Sequence, residues 1–176
     1  MKIKIKPGSQ SSVNAALCAI NDAVYDRDKK MDIFLRRLTE IGRARAEEIF
    51  VKAEYDGKND VTVTAEKTDK GYRIVASGQS VAFIEFGTGV TMPSYPADAA
   101  VQHARGTFGQ GKGADPRGWV YVGEQGTGGV QMYDRNGEPK PGVYRTKGNP
   151  PAAAMYHAVR AMQEAAPQIA REVFGF

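Results

Sequence analysis

From Lys2 to Lys6, polar and apolar residues alternate with a period of two, which places Ile3 and Ile5 on one face of a short strand ended by Pro7-Gly8. The period then lengthens. Ser11 or Ser12 can cap a helix whose apolar residues Val13, Ala16, Leu17, Ile20 and Val24 follow helical spacing. Residues 26–30, Asp-Arg-Asp-Lys-Lys, are too polar to bury and predict a break or an exposed turn. A second, longer helix follows, with Met31, Leu35, Leu38, Ile41, Ile49 and Ala53 on one stripe, closed by residues 55–59.

Beyond that point the pattern returns to alternation. Val61, Val63 and Ala65 lead into a turn at residues 68–71, and Tyr72, Ile74 and Ala76 alternate back, which predicts an antiparallel hairpin. Residues 81–86 are apolar at every position except Glu85, the pattern of a strand buried on both faces. At the far end, residues 149–151, Asn-Pro-Pro, start a helix with Met155, Val159, Met162, Ala166, Ile169 and Val173 along its stripe, and Pro167 is expected to kink or restart it. The order predicts an α+β fold: N-terminal helices, an antiparallel meander sheet of three to five strands, a long Gly-rich insertion, and a C-terminal helix packed on the sheet.

Composition sharpens one part of this picture. Of 20 glycines, 14 lie between Gly87 and Gly148, with five of the nine prolines. The 176 residues therefore read as a single α+β domain, 1–176, with a Gly/Pro-rich insertion arm at about 87–149. The absence of any 18-residue apolar run argues against a membrane-spanning helix, and the start has no signal-peptide pattern. Net charge is +4, shared evenly at +2 on either side of Asp56, so no basic stripe marks a dedicated nucleic-acid binder. A lone cysteine, Cys18, excludes an internal disulfide, and with only two histidines there is no Cys/His zinc cluster.

Candidate chemistry is sparse. Residues 106–113, Gly-Thr-Phe-Gly-Gln-Gly-Lys-Gly, approach the phosphate-binding loop, but Gly113 stands where the magnesium-binding hydroxyl belongs and Pro116 interrupts the helix that should follow. Glu85 among apolar neighbours fits a general acid, yet no second carboxylate or histidine accompanies it by spacing, so a hydrogen-bonding structural role is the stronger reading. His103 and His157 lack ligand-spaced companions, and Cys18 reads as a small core residue on a helix. Arg36, Arg37, Arg43 and Arg45 interleave with Glu40, Glu47 and Glu48, the pattern of a salt-bridged solvated face. Trp119 and Tyr121 alternate in a short strand, where they either anchor a partner or pin the insertion to the domain.

Ile84-Glu85-Phe86-Gly87-Thr88-Gly89 resembles a motif of the tailed-phage tail-completion proteins, a family of minor tail components. In that family a similar strand leads through a variable segment to a methionine-bearing last helix. Here Thr146-Lys-Gly-Asn-Pro150-Pro151-Ala-Ala-Ala-Met155 is the corresponding lead-in, and Gly118-Trp119-Val-Tyr121 resembles a strand of the variable segment. Three alanines after Pro151 depart from the Pro-Phe pair common in the family. The resemblance implies a non-enzymatic structural virion protein without cofactors, assembled in the host cytoplasm and placed at the head–tail junction. It implies a homo-oligomeric ring, six- or twelve-fold, that touches the tail terminator, tail tube and head–tail connector and leaves a lumen for DNA. On the same grounds, Trp119 and Tyr121 belong to a partner-contact arm that orders on assembly. A tail terminator or connector adaptor subunit is the alternative, with a nucleotide- or nucleic-acid-binding protein as the rival from another class.

Overall fold

The computed structural model describes residues 4, 6–99 and 115–175. The opening strand expected at residues 2–6 lies largely outside the described residues, and Lys4 and Lys6 within it are not in a strand. The first element is a single helix, α1 (Gln10–Lys52), begun by the Ser9 hydroxyl, which accepts from the Ser12 N–H at 3.3 Å. The break expected at residues 26–30 is absent. A polar run without glycine or proline does not end a helix, and Lys30 pairs with Asp26 one turn earlier at 2.9 Å.

β1 (Thr62–Thr68) and β2 (Gly71–Ser77) form the expected hairpin, antiparallel in the register Thr62↔Ser77 to Thr68↔Gly71. Residues 81–86 then depart from expectation, forming a short helix, α2 (Val81–Phe86), instead of a buried strand. Continuous apolar residues mark burial without fixing the backbone. Here the backbone is fixed by Asp60, whose carboxylate accepts from the N–H groups of Gln79 (2.7 Å) and Ser80 (2.9 Å) and from the Ser80 hydroxyl. The Ile84 N–H then reaches the Ser80 carbonyl at 2.9 Å, closing the first turn.

Within the excursion, β3 (Trp119–Val122), β4 (Val130–Tyr133) and β5 (Pro139–Thr146) form a second antiparallel sheet with β5 in the middle. The five strands are thus divided between two sheets instead of joining one meander. The last helix, α3 (Ala154–Phe174), begins three residues after Pro151 and continues through Pro167 as one element, with no restart. Packing on both sides of the proline holds it: Met162 meets α1 before it and Ile169 is buried after it.

α3 runs antiparallel to α1. Phe34 meets Phe174 with ring centroids 5.7 Å apart, and Arg37 bridges to Glu172 at 2.5 Å. At Gly42 the two helices and β2 converge so closely that a Cβ would lie 2.5 Å from Met162 Sδ and 2.6 Å from Ile74 Cδ1. The core continues to Ala46 and Phe50 of α1, Ile84 of α2, and Ala154 and Ala158 of α3, with Val63 and Ala76 of the hairpin against it. The α+β architecture with a C-terminal helix packed on helix and hairpin follows from these contacts. Among the described residues no helix is long and apolar enough to cross a membrane.

Candidate functional site

The residues that carry the sequence motif sit where α2, the excursion and α3 meet. α2 ends at Gly87 with φ 74°. Thr88 then faces Asn149 from 61 positions away: its N–H donates to the Asn149 carbonyl (3.0 Å), its hydroxyl donates to Asn149 Oδ1 (2.6 Å), and the Asn149 N–H donates to Thr88 Oγ1 (3.1 Å). Asn149 Nδ2 donates onward to the carbonyls of Phe83 (3.0 Å) and Pro150 (3.3 Å). Both residues are buried, and the clasp gives their side-chain polar atoms protein partners in place of water. Gly89 is required by both space and backbone: φ is 85°, and a Cβ would sit 2.2 Å from the Lys147 carbonyl oxygen.

Glu85 performs a second fastening. It is only 3% exposed, and both carboxylate oxygens accept from the Met155 N–H, at 3.0 and 3.1 Å. Met155 lies in the first turn of α3, whose cap residue Ala153 (φ 50°) offers no side-chain acceptor. The carboxylate therefore supplies, from another element, the negative charge and acceptor that the positive end of a helix needs. The backbone of α2 adds two bonds: the Ala152 N–H to the Ile84 carbonyl (2.8 Å) and the Ala153 N–H to the Glu85 carbonyl (3.1 Å). Tyr95 completes the arrangement, its hydroxyl donating to Glu85 Oε1 at 2.6 Å. Burial, and then the hydrogen bond to Glu85, push the Tyr95 phenol well above its ordinary value.

Beside this junction lies an open groove of about 430 Å³, lined by Ala76, Val81, Phe86, Tyr95, Met155 and Val159, with Glu85 at its edge. Phe86 and Tyr95 meet at 5.0 Å, and Tyr156 donates to Asp98 at 2.8 and 2.9 Å, which raises the Tyr156 phenol through that bond. The lining is apolar apart from Glu85 and the phenols, and Glu85 is committed to α3 and Tyr95. The geometry suits packing or shape recognition more than proton transfer.

The other expected residues are dispersed. Pro150 and Pro151 form the extended lead-in to α3, half-buried, and Met155 receives the Glu85 bond. Trp119 and Tyr121 are half-buried, Tyr121 stacking on Tyr144 at 5.5 Å and accepting from the Gly126 N–H at 3.4 Å. Their strand neighbours Val120 and Val122 are the exposed ones, Val122 at 80%. Around Arg145 the exposed sheet face carries Val120 and Val130, each in register with it. The Lys112 loop and His103 lie outside the described residues. His157 is exposed against Tyr156, and Cys18 is exposed on α1 instead of joining the core. Arg43 bridges Glu40 and Glu47, and Arg45 bridges Glu48, the salt-bridged face that the interleaved charges predict. Among the described residues no three metal-ligating side chains converge.

Sequence reasoning missed Asn149, Asp60 and Tyr95. Asn149 was visible only as part of a helix start, and nothing local ties it to Thr88. The chain shows no significant match to models of protein families, to curated proteins or to solved structures.

Proposed function

We propose that this chain is a structural, non-enzymatic subunit of a tailed bacteriophage that completes the tail at the head–tail junction, assembling as a ring. The observation that carries the reading is the use to which the motif is put. Glu85, Thr88 and Gly89 lock α2, the excursion and α3 together, and their polar groups are spent on internal bonds rather than directed at a ligand. A motif whose work is to fix how a sheet-bearing excursion leaves a helical body suits an assembly subunit. Fold by itself does not confer that role; the resemblance of residues 84–89 and 146–155 supplies the context.

On this reading the small sheet is the partner-facing part. Its exposed face, with Val120, Val122 and Val130 around Arg145, offers the apolar centre and single guanidinium that interfaces favour, while Trp119 and Tyr121 stiffen the sheet from behind. The tail terminator, tail tube and connector are the neighbours this face would meet. Electron microscopy of an induced lysate lacking this gene tests the reading. Filled heads and finished tails lying apart are the expected result, and joined, intact particles would refute it.

A further inference from the structure

α1 is about 64 Å long and α3 about 31 Å, at 1.5 Å per residue. Because α3 is packed on α1 from about Phe34 to Phe50, much of the first twenty or so residues of α1 lies beyond it. The apolar face does not stop where α3 stops. Val13, Ile20, Met31, Leu38 and Ile49 follow one another at steps of seven and eleven, and Leu17, Val24, Leu35 and Gly42 do the same, so one continuous face runs the length of the helix. Its carboxy-terminal part is the core. Its amino-terminal part is largely open: Leu17 is 54% and Ile20 44% exposed, and Val13, Val24 and Met31 stand exposed with them, while Ala16 alongside is buried.

We propose that the amino-terminal half of α1 packs, through Val13, Leu17, Ile20, Val24 and Met31, against the same segment of a second copy of this chain. The spacing 13, 17, 20, 24 and 31 is that of a helix–helix seam, interrupted only at Arg27. Charge selects the occupant. Residues 10–25 contain one charged side chain, Asp22, and residues 26–32 contain three acidic and three basic ones, so two copies bring almost no net charge to the seam and can complement each other over 26–32. Ala15 and Ala23, both exposed, keep the flanks of the seam small enough for close approach by an identical helix. A strongly basic or strongly acidic partner protein would find a single charge, Asp22, on residues 10–25 to pair with. The inference deepens the ring reading by naming one of its contacts, and rests on that reading only for the number of copies.

Sedimentation of the purified full-length protein, wild type against the double variant Leu17→Glu, Ile20→Glu, tests it, with Val51→Lys as an exposed substitution off the seam. The expected result is concentration-dependent association in wild type and Val51→Lys, and a single 19.1 kDa species for the double variant with an unchanged circular dichroism spectrum. Association that survives in the double variant would overturn the helix seam while leaving a ring held by other surfaces in place. A wild-type protein that stays at 19.1 kDa throughout the concentration series would overturn the choice of a second copy as occupant. Neither result decides whether heads and tails join in the deletion lysate, so the two readings fail separately.

Discussion

α2 and the amino-terminal half of α1 are both apolar stretches of the chain, and they come to opposite ends. In α2 even the charged residue is inside: Glu85 is 3% exposed. In α1, Leu17, Ile20 and Val24 are exposed although almost no charge surrounds them. Composition does not separate the two segments; the supply of partners within the chain does. α2 is met by residues 149–155, which provide acceptors and donors for its polar groups and alanines for its apolar ones. Most of the beginning of α1 is not met by α3, which is half its length; Ala16 is buried there, but Leu17, Ile20 and Val24 beside it are not. The lesson is that the same apolar patterning ends buried or exposed according to what the rest of the chain brings to it.

This contrast predicts unequal responses to mutation. The largest is at Glu85. Glu85→Ala removes the acceptor of the Met155 N–H and of the Tyr95 hydroxyl in a buried place, and should cost roughly 3–5 kcal/mol in urea unfolding. Glu85→Gln, which keeps one acceptor, should recover part of that loss. Asn149→Ala is next, at about 2–3 kcal/mol. Combined with Thr88→Val in a double-mutant cycle, it should show a coupling of more than about 0.5 kcal/mol, since the two side chains bond to each other. Additive losses would mean that the clasp is not a unit.

Gly42→Ala is smaller. The new methyl would press on Met162 and Ile74, against a gain in helix propensity of about 1 kcal/mol, and a net loss of about 1 kcal/mol is expected in thermal melts. Leu17→Glu with Ile20→Glu should change the stability of the isolated subunit by no more than about 0.5 kcal/mol per site, because both positions are exposed there and glutamate is a good helix former. A large loss in dilute monomer would show that the segment is packed within the chain. The last effect concerns acid. The Ser80 hydroxyl, with the N–H groups of Gln79 and Ser80, holds the Asp60 carboxyl down to about 2. A depressed acid contributes its stability above the unfolded value and loses it as the pH falls through the folded one, so melts should drop between about pH 4 and pH 2. Asp60→Asn should flatten that limb.

Much of the fold was legible because it is local. The hairpin of residues 62–77 announces itself by alternation and a two-residue turn, and the stripes of α1 and α3 by their helical spacing. The misreadings share one cause. At residues 26–30 the side chains were polar enough for a turn, yet the backbone had no reason to leave the helix. At residues 81–86 the side chains were apolar enough for a central strand, yet Asp60, twenty positions earlier, starts a helix. In each case side-chain polarity described exposure, while hydrogen-bonding partners decided conformation. The same holds for the site. Glu85 stood out as a carboxylate in an apolar run, and a structural role was the better reading, but that it caps a helix 70 residues away could not be seen. Thr88 and Asn149 likewise reveal their pairing only once the chain is folded.

The central claim is that the chain joins heads to tails and does so as an assembly whose copies meet along α1. Purified protein added to a lysate lacking this gene, with infectious particles counted, tests it most directly. The account predicts that wild-type protein restores infectivity and that the Leu17→Glu, Ile20→Glu variant, equally folded and at the same concentration, does not. Folded wild-type protein that restores nothing would contradict the function, and a variant that restores infectivity as well as wild type would contradict the contact.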